Sequence, residues 1–289
     1  MKCLVVGLGS MGKRRISCLQ TLHESDIVGY DTRADRRKEA EKKFGIQTCS
    51  NLEVVLIHQP DAMFICTPPN LHEVFIEFAI TNNIDFFTEL NMEPVKDFEM
   101  DYGFPSCSIL FSPSFKYTKE RVKQIEPLTF NYHFGLYLPY WHPWEDYKDH
   151  FASKKETHAC KEIILFDLVW LTKLFGPVSK VHCEKRKSNI IDSDINDIYN
   201  IIFVFKNGIT GNALYDCVSK QAVKRCEIVG RKKNYTWDLM KSFYNEKGKM
   251  YLNETKSFLD AIYGKAVYPY SFEEETQNLE VMEMIENAS

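Results

Sequence analysis

Apolar residues dominate two short stretches, residues 1–6 and 61–67 (DAMFICT), and residues 84–89 read as a further strand around Phe86 and Phe87. That density is expected of strands buried on both faces of a parallel sheet. A further apolar strand ends at Asp31, and residues 108–112 (SILFS) read as one more. Helical signals alternate with these strands. One helix follows Gly12, a charged, alanine-bearing one covers 33–44 and ends at Gly45, and another covers 71–81. Strand–helix alternation of this kind predicts an α/β domain, a parallel sheet with helices on both faces and right-handed crossovers.

The pattern changes near residue 116. Residues 128–138 (LTFNYHFGLYL) alternate as a half-buried strand does, and 140–160 form an aromatic and charged loop. An amphipathic helix covers 162–175 and stops at Gly176-Pro177. Strands follow around 179–186, 197–206, 209–217 and 224–230, with Asn207-Gly208 as a hairpin signal between two of them. Helices at 250–263 and 272–288 close the chain. The expected architecture is therefore an α/β domain over 1–116, then an α+β domain over 117–289 with an open, largely antiparallel sheet. At 289 residues, two domains are the ordinary expectation.

Composition narrows the partners. A net charge of −4 gives no electrostatic reason to expect nucleic acid, and no apolar run reaches the roughly 20 residues that span a bilayer. Arg231-Lys232-Lys233 is a short basic run that suits a solvated hairpin turn. The nine cysteines are spread through the chain without a CxxC pair, so neither a disulfide framework nor a zinc knuckle is expected. Together with a start directly in a strand, this usage points to a reducing cytoplasm. No metal is expected.

The chemistry concentrates in Gly7-Leu8-Gly9-Ser10-Met11-Gly12. After a strand and before a helix, Gly7 permits a tight turn, Gly9 lets backbone approach a pyrophosphate, and Gly12 lets the helix pack on the strand. The helix start at Ser10 and Met11 offers N–H groups to the anion. Asp31, about 20 residues on, suits the ribose hydroxyls of NAD and repels a 2′-phosphate; Arg33 keeps NADP open, and Asp31 could instead cap the following helix. Cys66-Thr67-Pro68-Pro69-Asn70-Leu71-His72 ends the third strand at its carboxyl end, where ligands bind such sheets, with Asn70 placed to cap the next helix.

These pieces, in order and spacing, resemble the glucose–fructose oxidoreductase / inositol dehydrogenase / MocA family over essentially the whole chain. They are GLGSMGKRR, ICTPPNLH at 65–72, TEL at 88–90, LFG at 174–176, MYLNETKSFLDAIYG at 250–264 and the closing SFEEETQNLEVMEMIENAS. The resemblance implies a nicotinamide-binding Rossmann domain followed by a substrate-carrying domain. It also implies hydride transfer at a hydroxyl of a sugar, cyclitol or nucleotide sugar in a cleft between the domains, and a homodimer or homotetramer built through the open sheet. It sets Cys66, Thr67, Pro68, Asn70, His72 and Glu89 against the cofactor. Residues 141–156 are most similar to members handling bacterial surface sugars.

Two departures alter the expected proton chemistry. The family pattern Glu-Lys-Pro is here Glu89-Leu90-Asn91, and a leucine cannot exchange a proton. The family histidine of the 162–175 helix is replaced by Asp167 in one alignment and by Phe166 in another. Asp167, among Leu165, Phe166, Leu168 and Val169, is the leading candidate for proton exchange, with Lys155, His158 and Glu162 as further candidates. Both carboxylates could instead face solvent or pair with Lys161 and Lys155. Trp141, His142, Trp144, Tyr147 and Lys154 add stacking faces and charge suited to an anionic sugar, or to a lid. The leading expectation is an NAD(P)-dependent oxidoreductase; the alternative is a dinucleotide-binding regulatory protein that has lost turnover.

Overall fold

The computed structural model describes residues 1–95, 103–141, 146–155, 157 and 159–288. Its elements begin with β1 (Lys2–Val6), α1 (Ser10–Thr21), β2 (Asp26–Tyr30), α2 (Ala34–Phe44), β3 (Gln47–Cys49), α3 (Leu52–Ile57), β4 (Ala62–Ile65), α4 (His72–Thr81), β5 (Asp85–Thr88) and β6 (Gly103–Pro105). They continue with α5 (Pro113–Ile125), β7 (Pro127–Tyr137), α6 (Leu138–Trp141), α7 (Ala159–Phe175), β8 (Val178–Arg186), β9 (Ile198–Phe205), β10 (Thr210–Asp216), β11 (Val218–Gly230), β12 (Asn234–Asp238), α8 (Leu239–Ile262) and α9 (Phe272–Asn287). The chain divides into two compact units, one of Met1–Phe111 with Gly248–Thr276 and one of Ser112–Lys247 with Gln277–Ser289.

The first unit holds a six-stranded sheet in the order β3-β2-β1-β4-β5-β6, parallel at every pairing. Order reverses between β1 and β4, which creates a crevice at their carboxyl ends. Period-two alternation divides the strand side chains between two covered faces. Leu4, Val6, Met63, Ile65 and Phe86 pack with Ile76 and Ala79 of α4 and with Phe272. Phe64, Phe87 and Phe104 instead meet Phe258 of α8, at ring separations of 5.0, 5.8 and 5.6 Å. Phe258 explains a difference from the expected division at 116/117. Residues 248–276 cluster with the first unit because its sheet needs that second cover.

The expected strand at 108–112 is a correction. Ser108–Phe111 form a 3-10 turn, all four buried, and the last strand of the sheet is β6. Apolar density signals burial, which a turn and a strand share. What decides the shape is Ser112, whose Oγ accepts from Phe115 N at 3.2 Å and starts α5 with Pro113 in its first turn.

The second unit carries the order β12-β11-β7-β10-β9-β8, antiparallel except between β7 and β10. Along β7, Phe130 and Tyr132 point inward onto α7. Phe130 stacks on Phe175 at 4.5 Å, and Tyr132 meets Trp170 edge-on at 5.2 Å. Asn131, Asn200 and Asn212 stand exposed on the other face. This is the open sheet expected from the alternating pattern. The hairpin signal also holds, with Gly208 at φ +85° between β9 and β10. Among the described residues no helix is long and apolar enough to cross a membrane.

Candidate dinucleotide site and proton-exchange groups

The turn from β1 into α1 is shaped by two glycines that the protein itself requires. Gly7 adopts φ +86°, and a Cβ there would lie 2.8 Å from the Cys66 carbonyl oxygen. A Cβ on Gly12 would lie 1.9 Å from the Gly7 carbonyl oxygen, so α1 could not close on the turn. Gly9 differs, because the nearest atom to a Cβ there is an Arg36 guanidinium nitrogen at 3.7 Å. Nothing among the described residues demands glycine at position 9. The space left over Gly9 is what the close approach of a pyrophosphate would need. Gly9 caps α1 without a side-chain hydrogen bond, and the first turn carries no acidic residue. The N–H groups around Ser10 and Met11 are thus left for an anion.

Asp31 stands just beyond β2 and is 6% exposed. Leu8 N donates to its Oδ2 and Arg33 N to its Oδ1, both at 2.8 Å. These bonds fix the carboxylate and leave a lone pair on each oxygen for ribose hydroxyls. Asp31 is not the N-cap of α2; that position is Arg33, whose side chain makes no capping hydrogen bond. The Arg33 guanidinium grips Asp35 at 2.6 and 3.1 Å, and Arg37 donates to the carbonyls of Asp31 and Thr32. Arg36 approaches Asp31 Oδ2 at 3.7 Å. A carboxylate held in this way suits the ribose hydroxyls of NAD and would repel a 2′-phosphate.

At the end of β4, Cys66 N donates to Val6 O at 2.8 Å and ties the loop to β1. Thr67 Oγ1 is buried and has no hydrogen-bond partner among the described residues. A buried hydroxyl in that state suits a site completed by a ligand. Pro68 and Pro69 lead into a 3-10 turn over Pro69–Leu71. Asn70 is exposed inside that turn, and α4 begins without a side-chain cap, so its expected capping role is not found. His72 is buried; its Nδ1 lies 2.7 Å from Asn91 Oδ1 and its Nε2 2.9 Å from Thr67 O. Burial holds its pKa below the usual imidazole value.

Glu89 follows β5 and accepts from Arg15 Nε at 2.7 Å. Arg15, wholly buried on α1, also pairs with Glu254 Oε2 at 2.7 Å and lies over the Phe87 ring at 4.4 Å. Glu254 accepts from Cys107 N at 2.6 Å and Ser106 Oγ at 3.1 Å. Leu90 between Glu89 and Asn91 is half-buried. Arg15, Glu254, Asn91 and Glu275 were missed from sequence, since their partners lie up to 240 residues away. The one local signal was an arginine next to Ile16 on the buried stripe of the fingerprint helix.

In the second unit the nominated proton-exchange groups have separate surroundings. Asp167 is fully buried and accepts from Tyr132 Oη at 2.5 Å, Trp170 Nε1 at 2.8 Å and Lys224 Nζ at 2.8 Å. Glu162, on the first turn of the same helix, has a buried Oε2 without a hydrogen-bond partner among the described residues. Burial pushes its pKa from 4.5 up to about 7. Lys155 is exposed, and His158, His142 and Trp144 lie outside the described residues.

Residues 1–94 match the family described as the oxidoreductase family with an NAD-binding Rossmann fold, GFO_IDH_MocA. No curated protein sequence matches the chain. The whole fold is similar to solved structures. GenD2 from gentamicin A biosynthesis, in complex with NAD, is 13% identical with a TM-score of 0.83, over 100% of this chain and 93% of that one. A myo-inositol dehydrogenase from Corynebacterium glutamicum is 17% identical with a TM-score of 0.80, over 100% and 96%. The WlbA dehydrogenase from Bordetella pertussis, in complex with NADH and UDP-GlcNAcA, is 15% identical with a TM-score of 0.82, over 100% and 95%. At these identities the likeness shows the fold alone. The first 94 residues thus match the NAD-binding Rossmann fold of that oxidoreductase family.

Proposed function

We propose that this protein is an NAD-dependent oxidoreductase that interconverts a hydroxyl and a carbonyl on a sugar, cyclitol or nucleotide sugar. The observation that carries the reading is the cradle at the carboxyl ends of β1, β2 and β4. Gly9 is open to approach, Asp31 is fixed by two backbone N–H groups, and Thr67 Oγ1 is buried without a partner among the described residues. The nicotinamide bound there would supply the acceptor or donor of the substrate's hydride. The sugar-like substrate class is supported by neighbours titled as inositol dehydrogenase and as a complex with UDP-GlcNAcA.

The chain must then supply a group that exchanges the hydroxyl proton. Leu90 cannot. Asp167 has three donors around it, including the Lys224 ammonium, and serves better as the anchor of α7. Glu162 carries an oxygen without a partner among the described residues, and burial pushes its carboxyl up to about 7, the range a general acid–base needs. We assign the proton exchange to Glu162, with Lys155 and His158 as the remaining candidates. Self-association is assigned to the open face of the second sheet.

Leu90 favours a second reading, a regulatory protein that binds the dinucleotide without turnover. Titrating NAD and NADP by tryptophan fluorescence and following reduced nicotinamide against a panel of sugars, cyclitols and nucleotide sugars separates the two. Turnover on any member of the panel supports the oxidoreductase. Tight NAD binding with no turnover anywhere supports the regulator.

A further inference from the structure

His72, Asn91 and Glu275 come from the start of α4, the segment after β5 and the first turn of α9, all within the first unit. Their exposures are 2, 3 and 3%, so they exchange no hydrogen bonds with bulk water. The His72 ring lies between Thr67 O at Nε2 and Asn91 Oδ1 at Nδ1. Asn91 Nδ2 faces Thr88 Oγ1 at 2.8 Å and Glu275 Oε2 at 2.9 Å, while Asn91 N faces Glu275 Oε1 at 3.5 Å. The arrangement links the loop after β4 to the loop after β5, the two that carry Thr67 and Glu89. We propose that His72, Asn91 and Glu275 form a proton-sharing relay that positions Thr67 and residues 89–91 at the cofactor end of the sheet. The relay rests on the reading of that end as the NAD site.

Donors and acceptors in the relay balance in only two ways. The Thr67 carbonyl accepts only, so Nε2 carries a hydrogen in both. With Asn91 Oδ1 toward His72, Nδ1 must also carry one, and an imidazolium is linked through the amide to a carboxylate. With the amide turned over, Nδ2 donates to a bare Nδ1, and Oδ1 accepts from the Thr88 hydroxyl and from a Glu275 carboxyl that keeps its proton. The heavy atoms stay where they are, and one proton moves between His72 and Glu275. Turning an amide over exchanges only the O and N ends.

Burial selects the uncharged arrangement, because it pushes Glu275 from 4.5 up to about 8 and His72 down. The charged groups near His72 do not reverse this. Glu89 faces it but is paired with Arg15, which is also paired with Glu254, and burial pushes the adjoining Cys66 thiol up. Among the described residues, the Glu275 carboxyl is hydrogen-bonded only to Asn91. Once the shared proton is lost, two acceptors oppose each other at one end of Asn91. Thr67 and residues 89–91 then lose their common anchor. The proline of the family pattern at position 91 could make no such link, which gives Asn91 a purpose.

Glu275→Gln isolates the relay, since a glutamine amide donates and accepts as the protonated acid does. Two measurements on the full chain test it. Thermal unfolding midpoints without ligand, from pH 5 to pH 9, should fall for the parent relative to Glu275→Gln. The sign follows from a raised carboxyl pKa, whose stabilisation is complete below about 4.5 and is lost as pH rises through about 8. NAD affinity should weaken about tenfold in the parent from pH 7 to 9.5 and change less than about twofold in Glu275→Gln. Nitrogen-15 shifts of His72, assigned with His72→Gln, should show a neutral ring protonated at Nε2 at pH 7, and they serve if Glu275→Gln does not fold. Parallel midpoint curves, parallel affinity curves or an imidazolium at pH 7 would overturn the relay. Absence of NAD binding at every pH would instead overturn the site, leaving the midpoints and shifts to decide the relay.

Discussion

Arg15 Nε lies 2.7 Å from Glu89 Oε1, and the same guanidinium reaches Glu254 Oε2 at 2.7 Å. One buried arginine on the fingerprint helix thus holds the segment after β5 against α8. It joins parts of the first unit that are far apart in sequence. The Phe87 ring beneath the guanidinium and the wholly buried Glu254 leave water no place to substitute.

Removing that charge should therefore cost more than a surface ion pair. Arg15→Met strands a buried carboxylate at Glu254, and we expect a loss of about 3–5 kcal/mol in urea unfolding. Arg15→Met combined with Glu254→Met should recover a large part of it. Additive losses in the two single variants and the double variant would show that the pair carries no coupling.

Much of the first unit was legible because its signals are local. Glycine spacing, a buried strand on either side of it and Asp31 all lie within the first 31 residues. The same holds for Asn207-Gly208 and for the alternation along β7. What failed depended on partners distant in sequence. SILFS looks like a strand until Ser112 is seen to cap α5. Asp167 among apolar neighbours looked reactive, but Tyr132 and Lys224 surround it, 35 and 57 residues away. Glu162 stood on the same helix with a weaker local signal, and only burial distinguishes it.

The two carboxylates of α7 should separate in kinetics. Glu162→Gln should lower kcat about 100-fold or more with NAD affinity unchanged. Asp167→Asn should act first on stability, by about 3 kcal/mol, because it leaves Lys224 without its buried counter-charge. Equal loss of kcat in a stably folded Asp167→Asn protein would return the proton role to Asp167.

pH dependence follows from the raised Glu162 carboxyl. Oxidation of a hydroxyl needs the carboxylate to take the proton, so kcat for oxidation should rise as pH increases through about 7. Reduction needs the acid, and its kcat should fall over the same interval. Initial rates in both directions, between pH 5.5 and pH 8.5, test the sign. Profiles that run the same way in both directions count against Glu162.

Asp31→Ala should weaken NAD about 10- to 100-fold, the loss of charge-assisted hydrogen bonds to the ribose, and should narrow the preference over NADP. Competitive titration with both dinucleotides measures this. An unchanged ratio would mean that Asp31 serves only to hold Leu8 N and Arg33 N.

The cradle is the centre of the account, and Gly9→Ala tests it most directly. The nearest atom to the new methyl is 3.7 Å away and the backbone sits at φ −71°, so the fold should tolerate the change. Calorimetric titration of NAD into the parent and Gly9→Ala proteins, at matched thermal stability, is the decisive measurement. The account predicts binding to the parent and an affinity weaker by at least about tenfold in Gly9→Ala. Equal affinity in the two proteins would contradict it.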